Sequence, residues 1–525
     1  MKSKRRIIVA LNEKQAACVG VVESIQDHLP ALYFVFSRGR TEMLAEELSR
    51  EWDFLLPKER ERVTEVIEKA EAQNPGLFGG RRKHLRRQLL QGIGYHHAGL
   101  SPALKELVEN LYEARLIFVN FCTETFAVGI NFPAASTVFD ATRKWDGRNH
   151  RILLNREFFQ MAGRAGRRGF DKEGHVYVRI DEKYPEQTGF FDESQVEPVR
   201  GRLIISPNTV LSLLHYKTDE EIERFLSQNL AVYQNSREAR NVNEELETVD
   251  QAIYSLRQAF CEEKDGPTCP MLREKLKKEL KRLRNRRNRK KADQQGRVAQ
   301  IKSILARPGK GCLHDACRDA HDEITALVER KKELVRRNRY LKQHEADYHR
   351  DFDQMCALLE KLGFIQGKTL LPRGLFALNI HVQEILVTEL VFSGILRDGP
   401  PAEAASILAG IDYQPGRDEV VLGGEYPMEQ VTELRTQLMN YGVPEHLCAW
   451  TPVPGPLAEA WYKGATFEEL QKMCNLQEGD IFSSIRREID ILRQIERAAG
   501  EDRELRQAMN DIRTTIDRDE MAVLI

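Results

Sequence analysis

Gln160-Met161-Ala162-Gly163-Arg164-Ala165-Gly166-Arg167-Arg168-Gly169 is the stretch of this chain with the most chemistry in it. Arg164 and Arg167 stand three apart among small residues, and the glycines clear space around their guanidinium groups. Two such forks can converge on one anion, because guanidinium donors match phosphate oxygens in pairs. In phosphoryl transfer, arginines of this kind neutralise charge on the γ-phosphate. The alternative reading is a solvated basic turn.

The stretch lies among short apolar runs that read as strands, at Ala31–Phe36, Leu116–Phe121, Thr137–Asp140 and His175–Ile180. Helical patterns such as Thr41–Arg50 and Pro102–Glu113 separate them. That alternation predicts an α/β lobe whose parallel sheet is covered on both faces. After Pro198 the strand signals fade. Ser206-Pro207-Asn208 and Thr218-Asp219 are helix starts, predicting helices over Ser206–Leu214 and Asp219–Leu230. From Ser236 to His349 the sequence is charged and helix-forming, with apolar residues three to four apart (Val249, Ile253, Leu256; Ile324, Leu327, Val328, Leu334). It predicts an arm of antiparallel helices turning near Glu263–Pro267 and Pro308–Gly311. From Asp353 onward amphipathic helices follow, broken at Asp398–Pro401, Tyr413–Tyr426 and Thr451–Pro456. The fold class expected is therefore α/β followed by mostly α regions.

The 525 residues suggest roughly three to four domains at about 150 residues each. Hydrophobic residues make up 41% and charged ones 30%, which excludes wholesale disorder. With 79 Lys+Arg against 80 Asp+Glu, a uniformly basic coat is excluded, so any nucleic-acid surface is a local patch. No apolar run approaches the roughly 18 residues that would span a bilayer, so no membrane partner is expected. Ile7–Leu11 is too short for the apolar core of a signal peptide. Nine cysteines suit a reducing compartment, and a cytoplasmic location is expected.

One basic patch stands out. Between Arg273 and Lys291 there are twelve basic residues, among them Lys281, Arg284 and Arg287, against Glu274 and Glu279. So many charges on about five turns predict a helix that is cationic all round, an RNA-guiding surface with a marked salt dependence. The competing reading is a solvated helix paired with acidic segments. Cys261, Cys269, Cys312, Cys317 and His321 flank this region at a loose metal spacing. One continuous helix would part the cysteine pairs by roughly 50 Å at 1.5 Å per residue, whereas folding back near Asp293–Gly296 would bring them together. A zinc site and free thiols both remain open, with no metal assigned. His96-His97 lacks a third ligand and reads as a strand end.

Three further stretches stand upstream of the arginines. They are Tyr33-Phe34-Val35-Phe36-Ser37-Arg38, His96-His97-Ala98-Gly99-Leu100 and Thr123-Glu124-Thr125-Phe126-Ala127-Val128-Gly129-Ile130-Asn131-Phe132-Pro133-Ala134. In series with the arginine stretch they resemble the second RecA-like lobe of superfamily 2 helicases, and most of all the superkiller-like, exosome-associated DExH-box RNA helicases. The resemblance implies that Gln160, Arg164 and Arg167 face the γ-phosphate, and that Gly129, Asn131 and Gly163 border the nucleotide. It implies that Thr123 and Arg38 grip nucleic-acid phosphates. Ser206–Leu214 looks like the family's winged-helix entry. Ile385–Gly394, Ala460–Phe467 and Glu478-Gly479-Asp480 resemble its helical bundle, where Arg486, Arg487 and Arg493 become RNA-contact candidates. Ser483-Ser484 stand where the family pattern has a basic residue. The domains implied are a second RecA-like lobe over 1–195, a winged helix over 196–236 and 350–380, an inserted arm over 237–349, and a bundle over 381–525.

A helicase engine also needs a G-x-x-x-x-G-K-[ST] loop and an acidic box for Mg²⁺. Gly309-Lys310-Gly311-Cys312 has the wrong spacing, and the Asp-Glu pairs at 182–183, 192–193, 322–323 and 519–520 form no such box. The resemblance thus implies a site for ATP with Mg²⁺ completed by a first RecA-like lobe, in cis or in trans, and no hydrolysis by this polypeptide alone. It implies 3′ to 5′ translocation on single-stranded RNA, alongside an RNA-degrading complex. The rival expectations are a non-catalytic RNA-binding scaffold and a DNA-directed helicase of the same superfamily.

Overall fold

Every residue of Ala31-Leu32-Tyr33-Phe34 is buried, as expected of a strand covered on both faces. It forms β1 (Ala31–Phe34) in the computed structural model, which describes residues 17–79, 82–127, 134–167, 171–180, 189, 191–258, 270–285, 292–306, 315–345, 347–416, 418–423 and 429–522. The strands β2 (Ile93–His96), β3 (Val119–Cys122) and β4 (Ser136–Phe139) follow. Next come a separate antiparallel hairpin of β5 (Arg143–Trp145) and β6 (His150–Ile152), and then β7 (His175–Val178). The five-stranded sheet runs β2-β3-β1-β4-β7 with all neighbours parallel.

Four of these strands coincide with the apolar runs expected from sequence, with ends moved by no more than three residues. β2 is not among those runs, because Gly94 and His96 dilute its apolar signal, but it ends at His96, where the histidine pair was read as a strand end. The helices of this part are α1 (Cys18–Ser24), α2 (Arg38–Glu51), α3 (Pro57–Gln73), α4 (Lys83–Leu89), α5 (Pro102–Glu113) and α6 (Asn155–Ala162). The start of α5 is set by Ser101, whose hydroxyl accepts the Leu104 N–H at 3.4 Å, and by Pro102 in its first turn. At α6, the Glu157 carboxylate accepts the Leu154 N–H at 2.9 Å.

The chain divides into two compact units. One comprises Met1–Val199, Lys361–Gln366 and Leu370–Ile525, the other Arg200–Glu360 and Gly367–Thr369. The second unit begins with α7 (Pro207–Tyr216) and α8 (Asp219–Ser227), capped by Ser206 and Thr218. Then come α9 (Leu230–Gln258), α10 (Pro270–Asn285), α11 (Ala292–Ala306), α12 (Asp315–Glu345) and α13 (Asp347–Lys361). α9 and α12 run antiparallel over a seam of Val242, Val249, Ile253, Leu334 and Leu341. Arg337–Glu238, Arg330–Glu245 and Lys331–Asp250 bridge its exposed flanks.

The basic stretch differs from its expectation in two respects. It is helical as α10, but Leu276 is buried, as is Ile301 on α11, so one side is apolar rather than cationic. α10 and α11 also run antiparallel, with the Arg273 guanidinium donating to the Leu305 carbonyl at 2.8 Å and Arg297 reaching Glu279 at 3.0 Å. Of the two geometries the sequence left open, the chain therefore folds back rather than continuing as one helix, but residues 293–296 lie inside α11 and not at the reversal. The turns expected at 263–267 and 308–311 lie outside the described residues.

Beyond the two-residue strands β8 (Ile365–Gln366) and β9 (Thr369–Leu370), the rest of the first unit is mostly helical. It comprises α14 (Pro372–Ala377), α15 (Glu384–Phe392), α16 (Ile395–Asp398), α17 (Pro401–Ala409), α18 (Glu429–Asn440), α19 (Gly455–Tyr462), α20 (Phe467–Met473), α21 (Glu478–Ala498) and α22 (Arg503–Ile516). Ile481, Ile485, Ile489, Leu492 and Ile495 form one buried stripe on α21, packed against α17 and α22. The Trp461 indole N–H donates to the Ile516 carbonyl at 2.8 Å. Among the described residues no helix is long and apolar enough to cross a membrane.

Candidate nucleotide and nucleic-acid site

α6 ends at Ala162, and the arginine loop begins with Gly163 as its C-cap. The Arg164 carbonyl accepts the Ala134 N–H at 2.9 Å, and the Gly166 N–H donates to the Ala134 carbonyl at 2.7 Å. The loop is thereby stitched to Ala134, two residues before β4, at the edge of the sheet where the strands begin. Gly166 has φ +93°, and a Cβ on Gly174 would lie 2.4 Å from the Ala165 carbonyl oxygen. Glycine is required at both positions for the loop to lie against the start of β7. Ala134 directly follows the segment carrying Gly129 and Asn131, two residues that lie outside the described ones.

Gln160 and Gly163 are exposed, and Arg164 and Arg167 are half-buried. Asp171, unnoticed in the sequence, takes the Arg167 guanidinium in a fork, with Nε–Oδ2 and Nη2–Oδ1 both 2.8 Å. The Arg167 N–H also donates to Asp171 Oδ2 at 2.8 Å, and the Asp171 N–H returns to the Arg167 carbonyl at 3.0 Å. The guanidinium beside Asp171 holds its carboxyl down at about 2. The signal that could have found it is an acidic residue four places after the second arginine.

Two of the nucleic-acid candidates, Thr123 and Arg38, lie at the opposite edge, where the strands end. Thr123 follows β3; its N–H donates to the His96 carbonyl at 3.2 Å and its hydroxyl lies 2.9 Å from that of Thr125. Arg38 opens α2 after β1, but its guanidinium is committed to Asp480 at 2.7 Å and Gln477 at 3.2 Å, at the start of α21. A nucleic-acid phosphate at Arg38 would compete with Asp480.

Beside it lies a buried network that the sequence did not reveal. Arg82, 3% exposed, donates to Glu42 at 2.8 Å and to Glu478 at 3.4 Å, and also reaches the Tyr95 hydroxyl and the Gly99 carbonyl. Burial alone would raise the Glu42 carboxyl, but hydrogen bonds from His97 and Arg82 outweigh it and hold it at about 2. Burial raises Glu478 against the pull of Arg82, which sits closer to Glu42. His96 and His97 are partnered by Glu109 and Glu42, at 2.8 and 3.0 Å.

Of the bundle arginines, Arg486 and Arg493 both turn toward Asp517, at 4.0 and 3.2 Å. Arg487 donates to the Asp412 carbonyl at 3.2 Å and lies over the Tyr413 ring. On α10, Lys281 is exposed, as are Lys277 and Arg282. The side chains of Arg284 and Cys317, and residues Arg287, Cys261, Cys269 and Cys312, lie outside the described ones. The β5–β6 hairpin presents half-exposed Trp145 beside His150, among Arg143, Lys144 and Arg151. Its Asp146-Gly147 turn was the available sequence signal.

The arginine loop carries guanidinium groups of the kind that pair with nucleotide phosphates. Among the described residues no group of three His, Cys, Asp or Glu side chains could hold a metal ion, so Mg²⁺ finds no ligand set there.

Two family models match the chain: the helicase conserved C-terminal domain over residues 58–169 and the DSHCT (NUC185) domain over 367–522. The ATP-dependent RNA helicase mtr4 of Schizosaccharomyces pombe is 34% identical over 235 residues, covering 43% of this chain and 20% of that protein. Superkiller complex protein 2 of Mus musculus is 42% identical over 163 residues, covering 30% and 13%. The probable helicase HelY of Mycobacterium leprae is 32% identical over 251 residues, covering 46% and 27%. The matches thus span about a fifth of the length of such relatives. With a parallel-sheet lobe and an arginine loop, the chain carries a helicase conserved C-terminal domain and a DSHCT domain, and over those parts it is similar to DExH-box RNA helicases of the mtr4 and superkiller type.

Proposed function

We propose that this chain supplies the second RecA-like lobe and the strand-handling helical regions of an ATP-dependent RNA helicase that translocates 3′ to 5′ on single-stranded RNA during RNA processing or decay. The observation that carries the reading is the stitching of Arg164 and Gly166 to Ala134, which holds the arginine loop at the end of the sheet where β4 begins. Thr123 lies at the other edge. Phosphate chemistry and strand grip then act from opposite ends of the same sheet, so that movement driven at one is felt at the other.

In this reading Arg164 and Arg167 neutralise γ-phosphate charge, and Gln160 orders the same region. The Thr123 hydroxyl and neighbouring N–H groups hold a backbone phosphate without reading sequence, as a motor requires. ATP hydrolysis depends on a first RecA-like lobe, in cis or in trans, which brings the phosphate loop and the Mg²⁺ ligands. Trp145, on its hairpin among basic side chains, is suited to stack on a base.

The test is RNA-stimulated ATPase with the first lobe supplied. Turnover should appear with both parts present and be abolished by Arg167→Ala; turnover retained in that variant contradicts the reading. Binding to RNA and DNA single strands at matched salt separates an RNA from a DNA substrate. The scaffold reading draws on Arg38, Arg486 and Arg493, all turned onto internal carboxylates. It predicts RNA binding with no turnover under any pairing.

A further inference from the structure

We propose that Asp171 is a positioning residue for Arg167, holding the guanidinium in the one orientation that serves the γ-phosphate. The inference rests on the function proposed above and adds a residue to it. Asp171 binds Arg167 at two levels. Its carboxylate fixes the Arg167 backbone through the N–H at 2.8 Å, and it forks the side chain through Nε and Nη2. The return bond from the Asp171 N–H to the Arg167 carbonyl closes the turn. Both torsional ends of a long, flexible side chain are thereby fixed.

The choice of edge matters. A guanidinium carries five donors in one plane and presents two separate forks. Asp171 takes the Nε–Nη2 fork, so the Nη1–Nη2 fork is the one whose direction this contact sets. A carboxylate on the terminal fork would instead compete with phosphate directly. An i,i+4 ion pair adds little to stability in general. Here the side chains are only 21% and 15% exposed, and the pair is backed by the Gly166–Ala134 stitch. Such a charge is oriented before the reaction, which is where electrostatic preorganisation acts.

The experiment compares Asp171→Asn, Asp171→Glu, Arg167→Lys, Arg167→Ala and the Arg167→Lys/Asp171→Asn double variant, using the protein with its first lobe present. Steady-state ATPase with saturating RNA and thermal unfolding are the readouts. Asp171→Asn is nearly isosteric but loses the ionic fork. It should lower kcat by about a hundred-fold, the usual cost of a misplaced catalytic group, while the KM for ATP and the unfolding temperature hold. Asp171→Glu should recover part of the loss, and the double variant should be no slower than Arg167→Lys alone. A kcat for Asp171→Asn close to the parent's, with Arg167→Ala inactive, overturns this inference and leaves the proposed function standing. So does a loss from Asp171→Asn that recurs in full on top of Arg167→Lys, because Asp171 would then act by another route. Turnover in Arg167→Ala overturns the proposed function itself.

Discussion

The N–H of Gly479 donates to the carbonyl of Gly99 at 3.1 Å, and a Cβ on Gly479 would stand 2.1 Å from the Ala98 carbonyl oxygen. The first turn of α21 is therefore seated on the loop after β2 by direct backbone contact. Arg38–Asp480 and Arg82–Glu478 lie around that point. The proposed strand-handling helix and the end of the sheet share one rigid joint.

Replacing Gly479 tests that joint. Gly479→Ala should lower stability by about 2–4 kcal/mol, because its methyl meets backbone that cannot move aside. Gly39→Ala, with open space around its Cβ, should stay within about 0.5 kcal/mol. Equal unfolding midpoints for the two variants would show that the helix is not seated as described.

Arg82 gives the network a pH signature. Glu42 is held at about 2, below its ordinary range, so its contribution is present above about 4.5 and is lost as pH falls toward 2. Glu478 is raised, so its contribution runs the other way and declines as pH rises through its shifted value. Arg82→Ala strands both carboxylates in a buried site and should cost about 3–5 kcal/mol at neutral pH. The loss should shrink at pH 4, where the stranded carboxyls protonate. Denaturant titrations of both proteins at the two pH values provide the check.

Glu488 sits on α21 at 1% exposure, with neither carboxylate oxygen hydrogen-bonded. Burial pushes its carboxyl well above the ordinary range. A raised carboxyl favours the folded state when protonated, so stability should decline as pH rises above about 4.5. Glu488→Gln should remove that component, leaving the variant more stable relative to the parent at pH 8 than at pH 5. A pH-independent difference between their urea midpoints would contradict this.

On α10, Lys277 and Lys281 are exposed beside a buried apolar seam. The Lys277→Glu/Lys281→Glu double variant should weaken RNA binding equally for all sequences. It should also flatten the dependence of log affinity on log salt by roughly 2. An unchanged slope would remove α10 from the RNA path.

Much of the lobe was legible before any coordinates. Apolar runs marked β1, β3, β4 and β7, because strands of a covered parallel sheet are mostly apolar; β1 is apolar throughout, β3 and β4 bury Asn120, Ser136 and Thr137, and β7 at the sheet edge is only partly buried. Of β2 only its end at His96 was legible, because Gly94 and His96 dilute the apolar run and the burial of His96 depends on partners elsewhere in the chain. The arm's pairing was legible from Val249, Ile253 and Leu334, whereas the reversal between α10 and α11 was only one of two open readings and was placed a few residues late. A charge count alone gave a helix cationic all round, since it cannot see that Leu276 and Ile301 meet.

By itself the sequence determined the chemistry available: two arginines among glycines, a threonine after a strand, a basic helix, and the order in which they come. Residue type and local spacing are properties of the chain and survive without a fold. Only the tertiary structure decided which cation is already spoken for. Arg38 meets Asp480 across 442 positions, while Arg167 meets Asp171 across four. A charge's partner is set by distance in space, which chain separation does not report.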